Sequence, residues 1–218
     1  MDEELDCAFN KISFYIHEKL SGKAGVPILK DITHLIDCEC YQIEGERVFR
    51  EVSILDLRTL SYENLHCFAE DFCSYYEMSE RNRYIVRRTF RIHGLYFYNN
   101  RVKNNFLSQN ELFCYLKKKY NEKDILFGYK GGDIESRLCK EMKISSLNIE
   151  HFGIEKYEFL LNHFKLDLLT CNQHARHIET HCSLYEVLLF GVRICEKIRD
   201  TEKLKKILDL YKKQKMFY

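Results

Sequence analysis

Chain breakers are scarce here. A single proline, Pro27, and nine glycines serve 218 residues, so element boundaries must be read from periodicity and from those few glycines. Internal repeats and low-complexity tracts are absent, which excludes a solenoid or a linker-rich disordered chain. No run approaches the roughly 18 uninterrupted apolar residues of a membrane span. The opening Met1-Asp2-Glu3-Glu4 is acidic, where a secretory signal is basic and then apolar. An excess of either charge is missing too: 34 basic residues against 33 acidic ones leave +1. That excludes a globally cationic protein, so any nucleic-acid contact has to come from local basic clusters. What remains is 45% hydrophobic and 31% charged. This is the balance of a globular chain with one sizeable domain, or one domain plus a short accessory segment.

Cysteine, by contrast, is plentiful, with ten copies. A disulfide framework belongs to short secreted chains. Here most cysteines lie inside apolar runs such as residues 36–40 and 188–195, where a thiol behaves as a small hydrophobe. The expectation is an intracellular protein, cytoplasmic or nuclear, with two cysteines spared for a metal.

Periodicity predicts an amphipathic helix over residues 5–20, stopped by Gly22 and Gly25. Residues 34–41 read as a strand, 42–47 as a hairpin turn and 48–57 as a second strand. Residues 84–90 read as a third, and the aromatic stretch 62–78 resists assignment. A helix over 110–120, a strand over 124–129, a helix over 134–142 and a short strand at 148–150 follow. Residues 183–198 form a strong helix, and 202–215 a lysine-rich one with Leu204, Ile207, Leu208 and Tyr211 on one stripe. Residues 1–30 are then an N-terminal helix and linker, 31–198 the main domain and 199–218 a basic C-terminal helix. Strands first and alternation later predict an α/β fold, a mixed central sheet flanked by helices.

Acidic residues recur at strand ends and helix starts: Asp37, Glu39, Asp133 and Glu186. Asp37 and Glu39 share one face of a strand. Their flanks, Ile36 and two cysteines, argue for partial burial, which is costly for carboxylates without cations or partners. Two-metal phosphoryl chemistry needs such a set, because two divalent cations roughly 3.5–4 Å apart require several converging carboxylates. Magnesium asks for hard oxygen ligands of this kind. His181 lies five residues before Glu186, so the pair can share one site, with the histidine as general base. Asp133 also reads as a helix cap, and Glu135, two residues on, competes with it for the role of middle acid.

This ordered set, Asp37-Cys38-Glu39, then an acid opening a later helix, then His-x4-acid, resembles the DEDDh exonuclease group of the RNase H-like fold. His93-Gly94 falls where that group often has a His-Gly turn after its third strand. The resemblance spans residues 34–195. It implies a 3′–5′ exonuclease acting on single-stranded DNA or RNA by two-metal phosphodiester hydrolysis. Asp37, Glu39, Asp133 and Glu186 would hold two Mg2+ or Mn2+ ions and His181 would be the base. One departure is Glu186, where the group has aspartate; an extra methylene moves a ligand by about an ångström, enough for large rate losses.

A second pattern overlaps the first. Cys171-x2-His174 followed by Cys182 offers three zinc ligands within twelve residues, with His177 an alternative to His174. It resembles the Maelstrom domain, a relative of the same exonucleases that has lost the acidic set and binds zinc through a Glu-Cys-His-Cys quartet. By that resemblance Glu39 supplies the fourth ligand, in conflict with its place among the catalytic acids. The rival function is then an RNA-binding module without nuclease activity, or with altered activity, acting in or against a small-RNA pathway. A structural or interaction protein that kept the fold and discarded the chemistry is the third reading; its 15 tyrosines and 15 phenylalanines would line a partner surface.

Basic candidates for nucleic-acid contact are Lys130, beside Gly131-Gly132 before a helix, and, in an aromatic-interleaved stretch with Arg81 and Arg83, Arg87, Arg88 and Arg91. A glycine turn and a solvated strand face are the competing readings. The expected partners are a single-stranded nucleic acid and proteins of RNA or DNA processing, with no membrane.

Overall fold

The computed structural model of the chain describes residues 25–69, 75–97, 106–122, 124–175 and 181–213. The helix expected over 5–20 and the alternative ligand His177 lie outside them. Five strands form one mixed sheet in the order β3-β2-β1-β4-β5. They are β1 (His34–Ile43), β2 (Glu46–Asp56), β3 (Tyr62–His66), β4 (Leu126–Tyr129) and β5 (Ser145–Asn148). The first three pair antiparallel, while β4 joins β1, and β5 joins β4, in parallel. Helices cover both faces, as the α/β expectation requires. Among the described residues no helix is long and apolar enough to cross a membrane.

The β1–β2 hairpin turns at Glu44-Gly45, both at positive φ (53° and 87°), the geometry that matches the right-handed twist of the flanking strands. Near that turn Ile43 pairs with Glu46 and Cys40 with Phe49, but beyond it Glu39 pairs with Glu51. Arg50 is therefore an extra residue, a β-bulge. Without it, Glu51 would stand opposite Cys38 and face the other side of the sheet. The bulge brings Glu51 to the face that carries Asp37 and Glu39.

On that face α1 (Gly25–Asp31), α5 (Tyr157–Phe164), α6 (Ser183–Ile198) and α7 (Thr201–Lys213) enclose a core with Leu35, Leu55 and Leu57. On the other, α3 (Gln109–Lys119) and α4 (Asp133–Met142) pack Leu112, Leu116, Leu138 and Met142 against Ile36, Val52 and Ile54. Gly191 lets α6 lie close on β2: a Cβ there would stand 2.7 Å from Leu55 Cδ2 and 3.3 Å from Ile207 Cδ1. Gly191→Val is expected to cost about 2 kcal/mol through overpacking, a fall of roughly 6 °C in thermal midpoint; calorimetry checks it.

Two assignments need correction. Residues 84–90 are not a strand but part of α2 (Glu80–His93), capped by Ser79 Oγ, which accepts from Asn82 N–H, and ended by left-handed Gly94. Its buried residues Asn82, Val86 and His93 follow helical spacing, a pattern masked by its β-branched and aromatic content. His93-Gly94 accordingly ends a helix, and the third strand lies in the unassigned stretch, at residues 62–66. The short strand placed at 148–150 is instead Ser145–Asn148, followed by a 3-10 turn over Ile149–Phe152.

Candidate functional site

Asp37 and Glu39 project from β1 towards the first turn of α6, which carries Glu186. The carboxylate oxygens of the three lie within 4.8 Å of one another. Asp37 is buried, and Glu39 and Glu186 are half-buried. Burial pushes the Asp37 carboxyl well above the usual range, and repulsion from Glu186, Glu135 and Glu39 adds to it. Glu39 is raised in the same way, by burial first and by Glu186 next. Such a set gains from a hard cation that takes the place of protons. Glu186 also binds His181, whose Nδ1 lies 2.6 Å from Glu186 Oε1. That contact raises the histidine's affinity for a proton. His181 Nε2 stands 3.4 Å from the exposed Glu158.

The geometry sets the two candidates for the middle acid apart. Asp133 is half-exposed and is taken by Arg47 at 3.3 Å and Arg137 at 2.7 Å. It is the first residue of α4 and not its cap, a position held by Gly132. Glu135, two residues further along the helix and so on another side of it, is buried. Its Oε1 accepts from Cys38 N–H at 3.2 Å, a donor left open where β1 runs on past β4. Burial holds its carboxyl up at about 7, with Glu186 contributing. Glu135 therefore borders the Asp37–Glu39–Glu186 cluster, and its charge acts on Asp37 where that of Asp133 is not among the principal causes.

A second group lies beside the first on the same sheet face. Glu51, Cys171, His174 and Cys182 are all buried, with one donor atom each, all within 4.8 Å of one another. His174 Nε2 is 3.2 Å from Glu51 Oε2 and Cys171 Sγ 3.1 Å from Glu51 Oε1. The fourth member is thus Glu51 of β2, not Glu39 of β1, because the bulge at Arg50 turns Glu51 to this side. The carboxylate is further fixed by Ser183 N–H at 3.1 Å. His174 Nδ1 donates to the His93 carbonyl, which leaves Nε2 to the quartet, the usual arrangement behind a ligating histidine. Burial opposes charge on both partners. Even so, His174 holds Glu51 well below the carboxylate range, and Glu51 lifts His174 to about 11. Two sulfurs, one imidazole nitrogen and one carboxylate oxygen are donors of the kind that four-coordinate zinc takes, whereas the three carboxylates suit magnesium or manganese. The two groups share no residue, so the competition for Glu39 disappears.

The basic candidates scatter. Lys130 is largely buried and paired with Glu150 at 3.3 Å. Arg87, Arg88 and Arg91 lie on α2 with Tyr84 and Ile92 around a shallow hollow of about 410 Å³. Arg87 donates to Tyr75 Oη at 3.2 Å. Of the residues that sequence reasoning missed, Glu51 had one signal, an acid inside the apolar run 48–57. Its face depended on a bulge that no local pattern announces. No family model matches the chain and no curated protein matches it. Among solved structures the chain is similar to the Mopeia virus exonuclease domain partially complexed with manganese, at 16% identity over 80% of this chain and 86% of that one, with a TM-score of 0.46.

Proposed function

We propose that the protein is a metal-dependent nuclease of the 3′–5′ exonuclease type, acting on single-stranded DNA or RNA. The observation that carries this reading is the convergence of Asp37, Glu39 and Glu186 within 4.8 Å, with His181 bonded to Glu186. Asp37, Glu39 and Glu186 would hold Mg2+ or Mn2+, with Glu135 bordering them. Bound there, such ions supply Lewis acidity and charge neutralisation to phosphodiester hydrolysis. His181 is oriented through Nδ1 by Glu186 and takes the proton of the attacking water at Nε2, once the exposed Glu158 swings away. Glu51, Cys171, His174 and Cys182 would hold a structural Zn2+ that ties the start of α6, and so Glu186, to β2. In this reading Tyr84, Arg87, Arg88 and Arg91 give a strand a stacking and charged track along α2.

A second reading is a Maelstrom-like RNA-binding module with altered or no hydrolysis, acting in or against a small-RNA pathway. It is favoured by Glu186, whose longer side chain already engages His181. Degradation of single-stranded DNA and RNA, assayed with magnesium or manganese and without either, separates the two. The nuclease reading predicts that Glu135→Gln lowers hydrolysis by about 100-fold, while Asp133→Asn stays within about tenfold of the unaltered protein. Loss of activity in Asp133→Asn alone would return the middle acid to position 133. Metal-independent RNA binding with no degradation would favour the second reading.

A further inference from the structure

Where the β1–β2 turn, the start of α2 and the start of α4 meet, a cleft of about 710 Å³ opens. Its charged lining is Arg47, Arg81, Arg137, Glu44 and Asp133. Glu44 already accepts from the Asn82 amide. Asp133 is the carboxylate between two guanidiniums, 3.3 Å from Arg47 and 2.7 Å from Arg137. Arg47 Nε is buried without a hydrogen-bond partner among the described residues, and Arg81 is exposed. Cations thus outnumber acids, and the acid that bridges them is a surface side chain, 52% exposed. Exposed pairs of this kind contribute about 0–1 kcal/mol, so the arginines release Asp133 at little cost. A phosphodiester presents two anionic oxygens to the same forks, the geometry guanidinium groups match best.

The position suits a strand that leads to the acids. Asp133 stands two residues before Glu135 on α4. Gln42, also in the lining, is three residues beyond Glu39 on β1, a distance of about 10 Å along the strand. We infer that this cleft is a phosphodiester-binding subsite, in which Asp133 occupies the place of a backbone phosphate until a strand displaces it. The inference deepens the nuclease reading and rests on it for the identity of the ligand, a polynucleotide. It assigns Arg81, Arg137 and Arg47 to strand binding and makes Asp133 a competitor of the substrate instead of a ligand for metal.

The test combines binding and hydrolysis. Binding of fluorescent oligouridylate and oligothymidylate is measured across a salt series in the Asp37→Asn background, which leaves the strand whole. Arg81→Gln and Arg137→Gln are each expected to weaken binding about three- to tenfold and to lower the salt slope by about one. Asp133→Asn is expected to tighten binding severalfold. With Asp37 intact, the arginine substitutions penalise hydrolysis of a long strand more than that of a dinucleotide too short to reach the cleft. Unchanged affinity and salt slope in all three variants, while the unaltered protein still degrades strands, would overturn the subsite and leave the nuclease reading standing. Weaker binding in Asp133→Asn, or loss of dinucleotide hydrolysis in it, would likewise overturn the subsite. Strand binding with the expected variant pattern but no hydrolysis of either substrate would uphold the subsite and sink the nuclease reading.

Discussion

Asp37→Asn is expected to abolish metal-dependent strand hydrolysis, by at least about 100-fold, and at the same time to raise the thermal midpoint of the metal-free protein. Both effects follow from the same geometry. Asp37 is buried and faces Glu186, Glu135 and Glu39, each of which disfavours its charge. An isosteric amide removes that repulsion, and relief of buried like-charge repulsion is worth about 1 kcal/mol or more. It also removes an anionic oxygen from the cluster, and loss of a ligand to a catalytic cation costs several kcal/mol of transition-state stabilisation, with each ~1.4 kcal/mol a factor of ten in rate. Stability and activity should therefore move in opposite directions. Calorimetry of chelated protein and a degradation assay with manganese measure the two. A variant that lost stability while keeping activity would show Asp37 to be a structural carboxylate.

Cys171→Ser or Cys182→Ser is expected to lower bound zinc from one ion per chain to none and to lower the thermal midpoint by about 12 °C. The quartet joins β2, through Glu51, to the irregular segment before α6 and to the residue that precedes that helix. Residues 166–175 contain no helix or strand; beside the quartet, the segment is held by Ala175 N–H donating to Gly94 O, Tyr211 Oη donating to Asp167 O, and Leu166 and Leu169 packed on the core. A metal at free concentration about 1,000-fold above its Kd contributes about 4 kcal/mol, which for a chain of this size corresponds to roughly 12 °C. Cys195→Ser is the control: it is a buried thiol on α6 outside the quartet, and its variant should retain one zinc. Plasma mass spectrometry of the purified proteins reads the metal. Full zinc content in Glu51→Gln and Cys182→Ser would mean that the quartet is not the binding site.

Much of the acidic site was legible because it is local. Asp37 and Glu39 two apart on a strand, and His181 and Glu186 five apart at a helix start, are spacings that place side chains through backbone geometry alone. The helix over 183–198 was equally plain, since its apolar residues fill most of one long buried stretch. Cys171, His174 and Cys182 were found by spacing in the same way. The sequence by itself favours Asp133 over Glu135, because a helix start favours an acid at its first position whether or not that acid faces inward. Burial separates them: α4 turns Glu135 to the open Cys38 N–H and leaves Asp133 to the arginines.

What the amino-acid order determined by itself was therefore the class of the fold, the hairpin turn, and the candidate ligands that neighbours in sequence can specify. Tertiary structure decided the rest. One inserted residue, Arg50, shifts the β1–β2 register so that Glu51 pairs with Glu39 and not with Cys38, and a shift of one residue in a strand reverses the face of every side chain beyond it. That reversal separates two donor groups that the sequence alone had made compete for one glutamate. The helix over 80–93 was decided by caps and by a buried stripe against the hairpin, over residues whose intrinsic preference is for strand. For Glu51 the deciding partner lies on another strand, whereas for the helix local caps and a buried stripe outweigh the β-branched and aromatic content.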